Sequence, residues 1–314
     1  MAGGQERILR RRIKSVESTK KITRAMELIA ASRIVKAQAR VHAAQPYAEG
    51  ITDVVRNLQS AGGGNSALLS ARTEMSKVAD IIITADRGLC GGYNSTVIRA
   101  AEHDMRDQER AGRENAIVTV GRKAEGYFRF RDYPIDAGFS GFSDSPTYED
   151  ARRVASAVVS GFESGELDRV QLVYTRFISA GRQEVVVEPL LPLEPTENEA
   201  PAEASGEPSA DYEFEPNPDT ILQTLLPRYT ESRVYAALLN AAASEHASRQ
   251  RAMKAATDNA EDLILTYRRR MNRARQDSIT TEIMEIVGGA EALSQGAGDA
   301  HADAHTAEYY DKTA

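Results

Sequence analysis

The chain has 314 residues and a formal net charge of −7, which disfavours nucleic-acid binding by the surface as a whole. Its single cysteine, Cys90, excludes an intrachain disulfide and a cysteine-based zinc cluster. Aromatic residues make up only 6% and Trp is absent, a composition more typical of aliphatic helix seams than of a bulky enzyme core. No run approaches the roughly 20 apolar residues that cross a bilayer, so we expect no membrane insertion.

The N-terminal segment, residues 1–60, predicts one long helix. Neither Gly nor Pro occurs between residues 5 and 45, Pro46 introduces at most a kink, and the glycines at 62–64 end the pattern. Apolar side chains recur at spacings of four and three, with one slip, as in a coiled-coil seam. The predicted seam positions are Leu9, Ile13, Val16, Ile22, Met26 and Ile29.

The middle of the chain, residues 76–192, alternates short runs rich in Val and Ile with helical patterns. Strands alternating with helices predict a Rossmann-like α/β domain with a mostly parallel sheet of four or five strands. The predicted strands are Val78–Ala85, Ala116–Gly121, Gln171–Ser179 and Glu184–Leu191, and the predicted helices are Asn94–Ala111, Lys123–Arg129 and Tyr148–Gly165.

A glycine-rich turn at residues 84–95 joins the first strand to the first helix, with Asn94 or Ser95 as the expected N-cap. Such turns can bind phosphate, but this one matches neither the phosphate-loop nor the dinucleotide pattern. We interpret it as a tight turn that lets a partner backbone approach, in preference to a nucleotide site. Cys90 has no histidine at a recognisable dyad spacing. We therefore expect no catalytic residue, cofactor or metal.

An acidic, proline-rich linker at residues 193–218 contains no Lys or Arg, and its composition predicts disorder. Residues 219–293 then predict a second long helix, since neither Gly nor Pro occurs between 228 and 287. Its apolar positions, predicted to pack in the helix pair, include Val234, Leu238, Leu263, Tyr267, Met271, Ile279, Ile283 and Ile286. Residues 294–314 predict a disordered polar tail.

Two terminal helices of this length cannot be buried in one globular core, so we predict that they pair as an antiparallel coiled coil. Residues 1–45 carry eleven Lys or Arg side chains against three Glu, and residues 268–275 carry five Arg. This asymmetry favours a basic shaft that meets acidic partner surfaces. Two alternatives stay open: a coiled-coil nucleic-acid-binding protein and a nucleotide-binding α/β enzyme.

Three blocks of sequence resemble the gamma subunit of bacterial F-type ATP synthases, the central stalk of the rotor. The blocks are TKKITRAME at 19–27 with neighbours at 13–15 and 30–32, DRGLCGGYN at 86–94, and AMKAATDNA at 252–260 followed by 274–276 and 278–280. The resemblance runs in order from about residue 5 to 293.

The resemblance implies a non-catalytic rotor shaft that transmits torque between a membrane c ring, turned by proton flow, and a ring of alpha and beta subunits that holds the ATP sites. The implied partners are the alpha, beta and epsilon subunits and the c ring, with no nucleic acid. It also implies a peripheral location at the cytoplasmic face of the cell membrane.

Several site residues follow from the resemblance alone. It implies catch contacts to a beta-subunit loop, a contact with the beta lever, an apolar bearing, and foot contacts to epsilon and the c ring. In that order, these groups are Arg275, Gln276 and Thr280; Met26 and Arg33; Ile279, Ile283, Ile286 and Val287; and Tyr212, Phe214 and Glu215. Phe214 stands where the family has Tyr, and the cysteine pair of the redox-regulated chloroplast type is absent.

Overall fold

The computed structural model describes residues 2–60, 66, 68–69, 72, 75–193, 215 and 217–310, with side chains described except at 2–3, 60 and 293–310. This part of the chain contains five α-helices and five β-strands. In chain order they are α1 Ala2–Ser60, β1 Lys77–Ile83, α2 Tyr93–Arg110, β2 Glu114–Val120, α3 Arg122–Phe130, β3 Ala137–Phe139, α4 Tyr148–Ser164, β4 Arg169–Phe177, β5 Gln183–Leu191 and α5 Pro218–Tyr310.

The five strands form one sheet in the order β3-β2-β1-β4-β5. All neighbours pair in parallel except β4 and β5, which form an antiparallel pair. The predicted mostly parallel α/β sheet is thereby confirmed. The sequence pattern missed β3, because three residues are too few to show an alternation.

Helices cover both faces of the sheet, which explains why the central strands are continuous apolar runs. Side chains of α2 and α3, among them Val97 and Phe128, pack on one face. On the other face α4 packs together with the C-terminal part of α1 and the first turns of α5, through residues such as Leu58, Phe162 and Leu226. The C-terminal part of α1 and the first turns of α5 therefore complete the core of the sheet domain.

The chain forms two compact units, Met1–Arg24 with Ala255–Ala314, and Ala25–Lys254. Within the first unit, α1 and α5 run antiparallel, since partner numbers fall along one helix as they rise along the other. The paired side chains are Glu17 with Arg268 at 2.8 Å, Lys20 with Glu261 at 3.1 Å, and Thr23 with Thr257 at 2.8 Å. The predicted antiparallel coiled coil is confirmed.

The seam of α1 differs from the prediction. Buried and half-buried positions continue at strict spacings of four and three without the expected slip. Ile22 and Ile29, both assigned to the seam, are 59% and 54% exposed, and the buried residues are Thr23 and Glu27. The prediction failed because it took apolar character as the marker of the seam. Here a threonine hydroxyl is instead buried against another.

The prediction for α5 was also wrong in part. Leu263 is exposed while its neighbour Ile264 is buried, and Ile279, Ile283 and Ile286 are exposed as well. The helix also continues through Gly288 and Gly289 to Tyr310, where a disordered polar tail was predicted from residue 294. Two consecutive glycines lower the helix propensity of a segment by about 1 kcal/mol each, which is not enough to end a helix of this length. Among the described residues, no helix combines the length and apolar character needed to cross a membrane.

Candidate functional site

The glycine-rich turn after β1 is held in place by Asp86. Its carboxylate accepts hydrogen bonds from the backbone N–H groups of Gly141 at 2.9 Å, Ser143 at 3.1 Å and Arg122 at 3.2 Å. Burial raises the pKa of Asp86, but these donors outweigh it and hold the pKa below its ordinary value. One ionised side chain thus ties together the three loops at the C-terminal edge of the parallel strands.

The same turn packs on the chain's own helix α5. The guanidinium of Arg249 lies 3.4 and 3.3 Å from the carbonyl oxygens of Arg87 and Gly88, and it pairs with Glu245 at 2.7 Å. A Cβ added at Gly91, where φ is +59°, would contact the Ala252 side chain at 3.6 Å. The neighbours of the turn are thus side chains of α5 in the same chain, whereas the sequence led us to expect the backbone of a partner.

The helix α2 begins differently from the prediction. Its N-cap is Gly92, without a side-chain hydrogen bond, rather than Asn94 or Ser95. The Asn94 amide turns back into the loop, where its oxygen accepts from Ala85 N–H at 2.9 Å and its nitrogen lies 3.1 Å from the Cys90 sulfur. This residue stabilises the turn instead of capping the helix.

Met26 and Arg33 lie seven residues apart on α1, about two helical turns, and line one open groove beside the glycine-rich turn. The groove has a volume of about 470 Å³. Arg33 pairs across it with Asp144 at 2.6 Å, and both side chains stay partly exposed, at 46% and 36%. The structure therefore brings together the two predicted lever residues and adds Asp144, which the sequence did not indicate.

The segment around Asp144 is tethered from two helices. Arg40 of α1 donates to the Ser145 hydroxyl at 2.9 Å and also to the Pro146 carbonyl. His246 of α5 lies with Nε2 3.1 Å from the Asp144 carbonyl oxygen, and burial lowers the pKa of this imidazole. The loop before α4 is therefore a fixed wall of the groove. An isolated loop in the sequence gives no sign of such long-range partners.

The predicted catch residues share one stretch of α5 in the first unit. Arg275, Gln276 and Thr280 are all exposed, and the Thr280 hydroxyl donates to the Gln276 carbonyl at 3.0 Å. Within the described part of the chain, the Arg275 guanidinium has neither a hydrogen-bond acceptor nor a carboxylate partner. This end of the helix thus presents an uncompensated cation to solvent.

The predicted bearing residues follow directly along the same helix. From residue 279 to 292 every side chain on α5 is exposed. The four residues and their exposures are Ile279 at 48%, Ile283 at 55%, Ile286 at 71% and Val287 at 56%. Large apolar side chains clustered on one exposed helix segment typically mark a surface that a partner covers.

The foot residues are described only in part. Glu215 is exposed, whereas Tyr212 and Phe214, together with most of the acidic linker at 193–218, lie outside the described residues. The structure therefore places one of the three predicted foot residues.

Comparison with known proteins supplies the family. A family model described as ATP synthase matches residues 5–293. The ATP synthase gamma chain of Parafrankia sp. is 52% identical over 298 residues, covering 94% of this chain and 99% of the relative. That of Streptomyces coelicolor is 46% identical over 296 residues, covering 93% and 97%.

Solved structures agree in fold. The central stalk/c-ring structure of the Tetrahymena thermophila mitochondrial ATP synthase aligns with a TM-score of 0.56 at 25% identity, covering 75% of this chain and 99% of that chain. A chain of the Euglena gracilis mitochondrial ATP synthase aligns at 0.65 with 18% identity, covering 94% and 96%. The two paired helices, the five-stranded sheet and the near full-length sequence matches together show that this chain belongs to the ATP synthase gamma chain family.

Proposed function

We propose that this chain is the central rotor shaft of a proton-translocating F-type ATP synthase, transmitting torque between a membrane c ring and a ring of alpha and beta subunits. The observation that carries the proposal is the near full-length match to gamma chains. As a gamma chain it is a non-catalytic subunit, so the ATP sites lie on its neighbours. The matches favour this function over the alternatives of a nucleic-acid-binding coiled coil and a nucleotide-binding enzyme.

Torque transmission requires that each orientation of the shaft favour a different conformation of the surrounding subunits. An effector shifts such an equilibrium only by its differential affinity for the two states. The shaft satisfies this requirement because its surface is uneven. It carries Arg275, which has no partner among the described residues, a partly exposed ion pair and an apolar segment. Rotation then presents each beta subunit with these features in turn.

Arg275, Gln276 and Thr280 form the catch that binds a beta-subunit loop. The guanidinium of Arg275 is exposed and unpaired within the described residues, so it can bind an acidic group without first breaking an internal contact. Its planar fork allows two parallel hydrogen bonds to one carboxylate. Gln276 adds neutral hydrogen-bonding capacity one residue away.

Met26 and Arg33 form the contact with the acidic lever of a beta subunit. Arg33 is already paired with Asp144, so an approaching carboxylate competes for a shared cation instead of meeting a free one. The new contact is weak for two reasons: any ion pair of a partly exposed arginine contributes little, and Asp144 stays available to take the cation back. A weak, repeatable contact suits a surface that must release at each step.

Ile279, Ile283, Ile286 and Val287 form the bearing, which turns inside an apolar sleeve at the top of the ring. All four side chains are exposed in the chain alone. Apolar contact is non-directional, so it holds the shaft laterally without favouring one angle.

Tyr212, Phe214 and Glu215 belong to the foot, which binds epsilon and the c ring. The chain is a peripheral part of a membrane-bound complex, and we place it at the cytoplasmic face of the cell membrane. Protection of Glu215 from carboxyl-modifying reagents in the assembled complex, but not in the free chain, is the expected result. Equal modification in both would argue against the foot contact.

Reconstitution tests the proposal directly. Alpha and beta subunits are assembled with and without this chain, and ATP turnover is measured; we expect the chain to enter the complex and raise turnover. Arg275→Ala should lower turnover several-fold while leaving the chain folded. Arg273→Ala is the matched control, because this exposed arginine lies on another side of α5. A chain that neither enters the complex nor alters turnover would refute the proposed function.

A further inference from the structure

A second cavity, separate from the groove and from the shaft residues, lies between α1, the sheet and α5 in the sheet domain. Its volume is about 200 Å³. One face of α5 supplies a wall through Tyr229, Ser232, Arg233 and Ala236. Residues spaced by three and four share one face of a helix, so these polar groups converge on the same space. Thr52 of α1 lies on the opposite wall.

The cavity contains hydrogen-bond donors that the protein does not use. The Nη1 atom of Arg233 is buried and has no hydrogen-bond partner. Within the described part of the chain, the hydroxyls of Tyr229 and Ser232 also have no protein partner, but unlike Arg233 Nη1 these oxygens keep contact with solvent, although the residues are only 5% and 4% exposed. Buried donors are nearly always satisfied in proteins, because an unmet one costs about 1–3 kcal/mol. The buried Nη1 of Arg233 therefore calls for an acceptor, and the two hydroxyls beside it are free to donate to the same one.

The charged side chains that line the cavity also favour an anionic acceptor. Two cations line it, Arg176 and Arg233, against one carboxylate, Glu188. Glu188 already has partners in the same lining, since it pairs with Arg176 and accepts a hydrogen bond from the Tyr174 hydroxyl at 2.9 Å. Arg233 is close enough to Tyr174 to act on the pKa of this phenol, which burial raises and both arginines oppose. The cavity thus holds one positive charge in excess.

We infer that this cavity binds a small tetrahedral oxyanion of the phosphate class. Four oxygens can accept from the Arg233 guanidinium and from both hydroxyls at once, and the anion neutralises the excess charge. A cavity of about 200 Å³ lies below the 300–1,000 Å³ typical of sites for drug-sized ligands, so a whole nucleotide does not fit. The site is distinct from every contact assigned to torque transmission.

Titration of the full-length chain with inorganic phosphate tests the inference. Binding is followed by calorimetry at constant ionic strength, with chloride and acetate titrated in parallel. We expect one saturable phosphate site on the native chain. Arg233→Gln should weaken phosphate binding roughly tenfold or more, since it removes a charge-assisted hydrogen bond. Arg152→Gln, at an exposed arginine of α4, is the matched control and should bind like the native chain.

Four other outcomes would overturn the inference of a phosphate site. Absence of saturable phosphate binding, equal binding by Arg233→Gln, or equal heats for phosphate and chloride would overturn the inference. Acetate binding without phosphate binding would also overturn it and would identify a carboxylate as the acceptor instead. Ser232→Ala, a smaller change in the same wall, gives a second measurement if Arg233→Gln does not fold, and it should weaken phosphate binding several-fold.

Discussion

The sheet domain and the paired helices treat their polar groups in opposite ways. In the sheet domain, carboxylates such as Asp86 and Asp168 are held by backbone N–H groups, and the Glu245–Arg249 pair is buried. Along α5 in the first unit, Arg275 and Gln276 are exposed, and within the described residues the Arg275 guanidinium has no partner. The contrast separates a domain built to hold one geometry from a surface left free to exchange partners.

Glycine substitutions should show the largest difference in stability between the sheet domain and the paired helices. At Gly121, where φ is +93°, an added Cβ would lie 2.2 Å from the Thr84 carbonyl oxygen. Gly121→Ala should therefore lower the free energy of unfolding by about 4–6 kcal/mol, combining backbone strain with overpacking. At Gly288 nothing lies within 4 Å of the added Cβ, so Gly288→Ala should stabilise α5 by up to about 1 kcal/mol. Urea unfolding measures the change in unfolding free energy of both variants. Equal changes would contradict the difference between the two regions.

The buried ion pair should show the next largest effect. Burial raises the pKa of Glu245 against the opposing pull of Arg249. Glu245→Ala leaves the Arg249 cation nearly buried without its carboxylate, which should cost about 3–5 kcal/mol of unfolding free energy. Glu17→Ala removes the partner of Arg268 at an exposed site on the paired helices and should cost at most about 1 kcal/mol. Similar losses of unfolding free energy in the two variants would contradict the difference between the sheet domain and the paired helices.

Asp80 lies in the middle of β1. Because it is buried there, we expect the stability of the sheet domain to depend on pH. Burial, and then the charge of Asp104, raise the pKa of Asp80 well above its ordinary value of 3.8, and neither carboxylate oxygen has a hydrogen-bond partner. The folded state therefore keeps its proton where the unfolded state has lost it. Stability should fall as pH rises from about 3.8 through the raised pKa and then level off.

Asp80→Asn should flatten this decline in unfolding free energy, because Asn does not titrate. Asp262→Asn, at an exposed carboxylate on α5, is the control and should keep the native profile. A native pH profile in Asp80→Asn would show that the buried carboxyl is not the source.

The smallest effect is expected at the polar layer of the coiled coil. Thr23 and Thr257 share a hydrogen bond of 2.8 Å, and Thr23 also donates to the Lys20 carbonyl. Replacing both with Val keeps the shape and removes both hydroxyls, so the double variant should stay within about 1 kcal/mol of the native chain. A double-mutant cycle by thermal unfolding measures the coupling of the two hydroxyls, which we expect to be about 0.5–1.5 kcal/mol.

The sequence predicted the large elements well, because long helices leave a periodic apolar pattern and buried parallel strands leave continuous apolar runs. It misplaced Ile22 and Ile29, since hydrophobicity alone cannot show that a threonine and a glutamate find partners in the seam. It missed Asp144, whose partner Arg33 is 111 residues away. The roles of Arg275 and Met26 came from family resemblance, because the partners that give these exposed side chains their function lie on other chains.

Rotation of the shaft inside the assembled complex tests the central claim most directly. Cys90 is the chain's single cysteine and is only 1% exposed, and burial raises the pKa of its thiol, so it should resist labelling. Phe130→Cys adds an accessible thiol at a position that is 84% exposed, where a probe can be attached. With alpha and beta subunits fixed to a surface, we predict stepwise, one-directional rotation of the probe on ATP addition. ATP hydrolysis by the same complexes with a stationary probe would contradict the account.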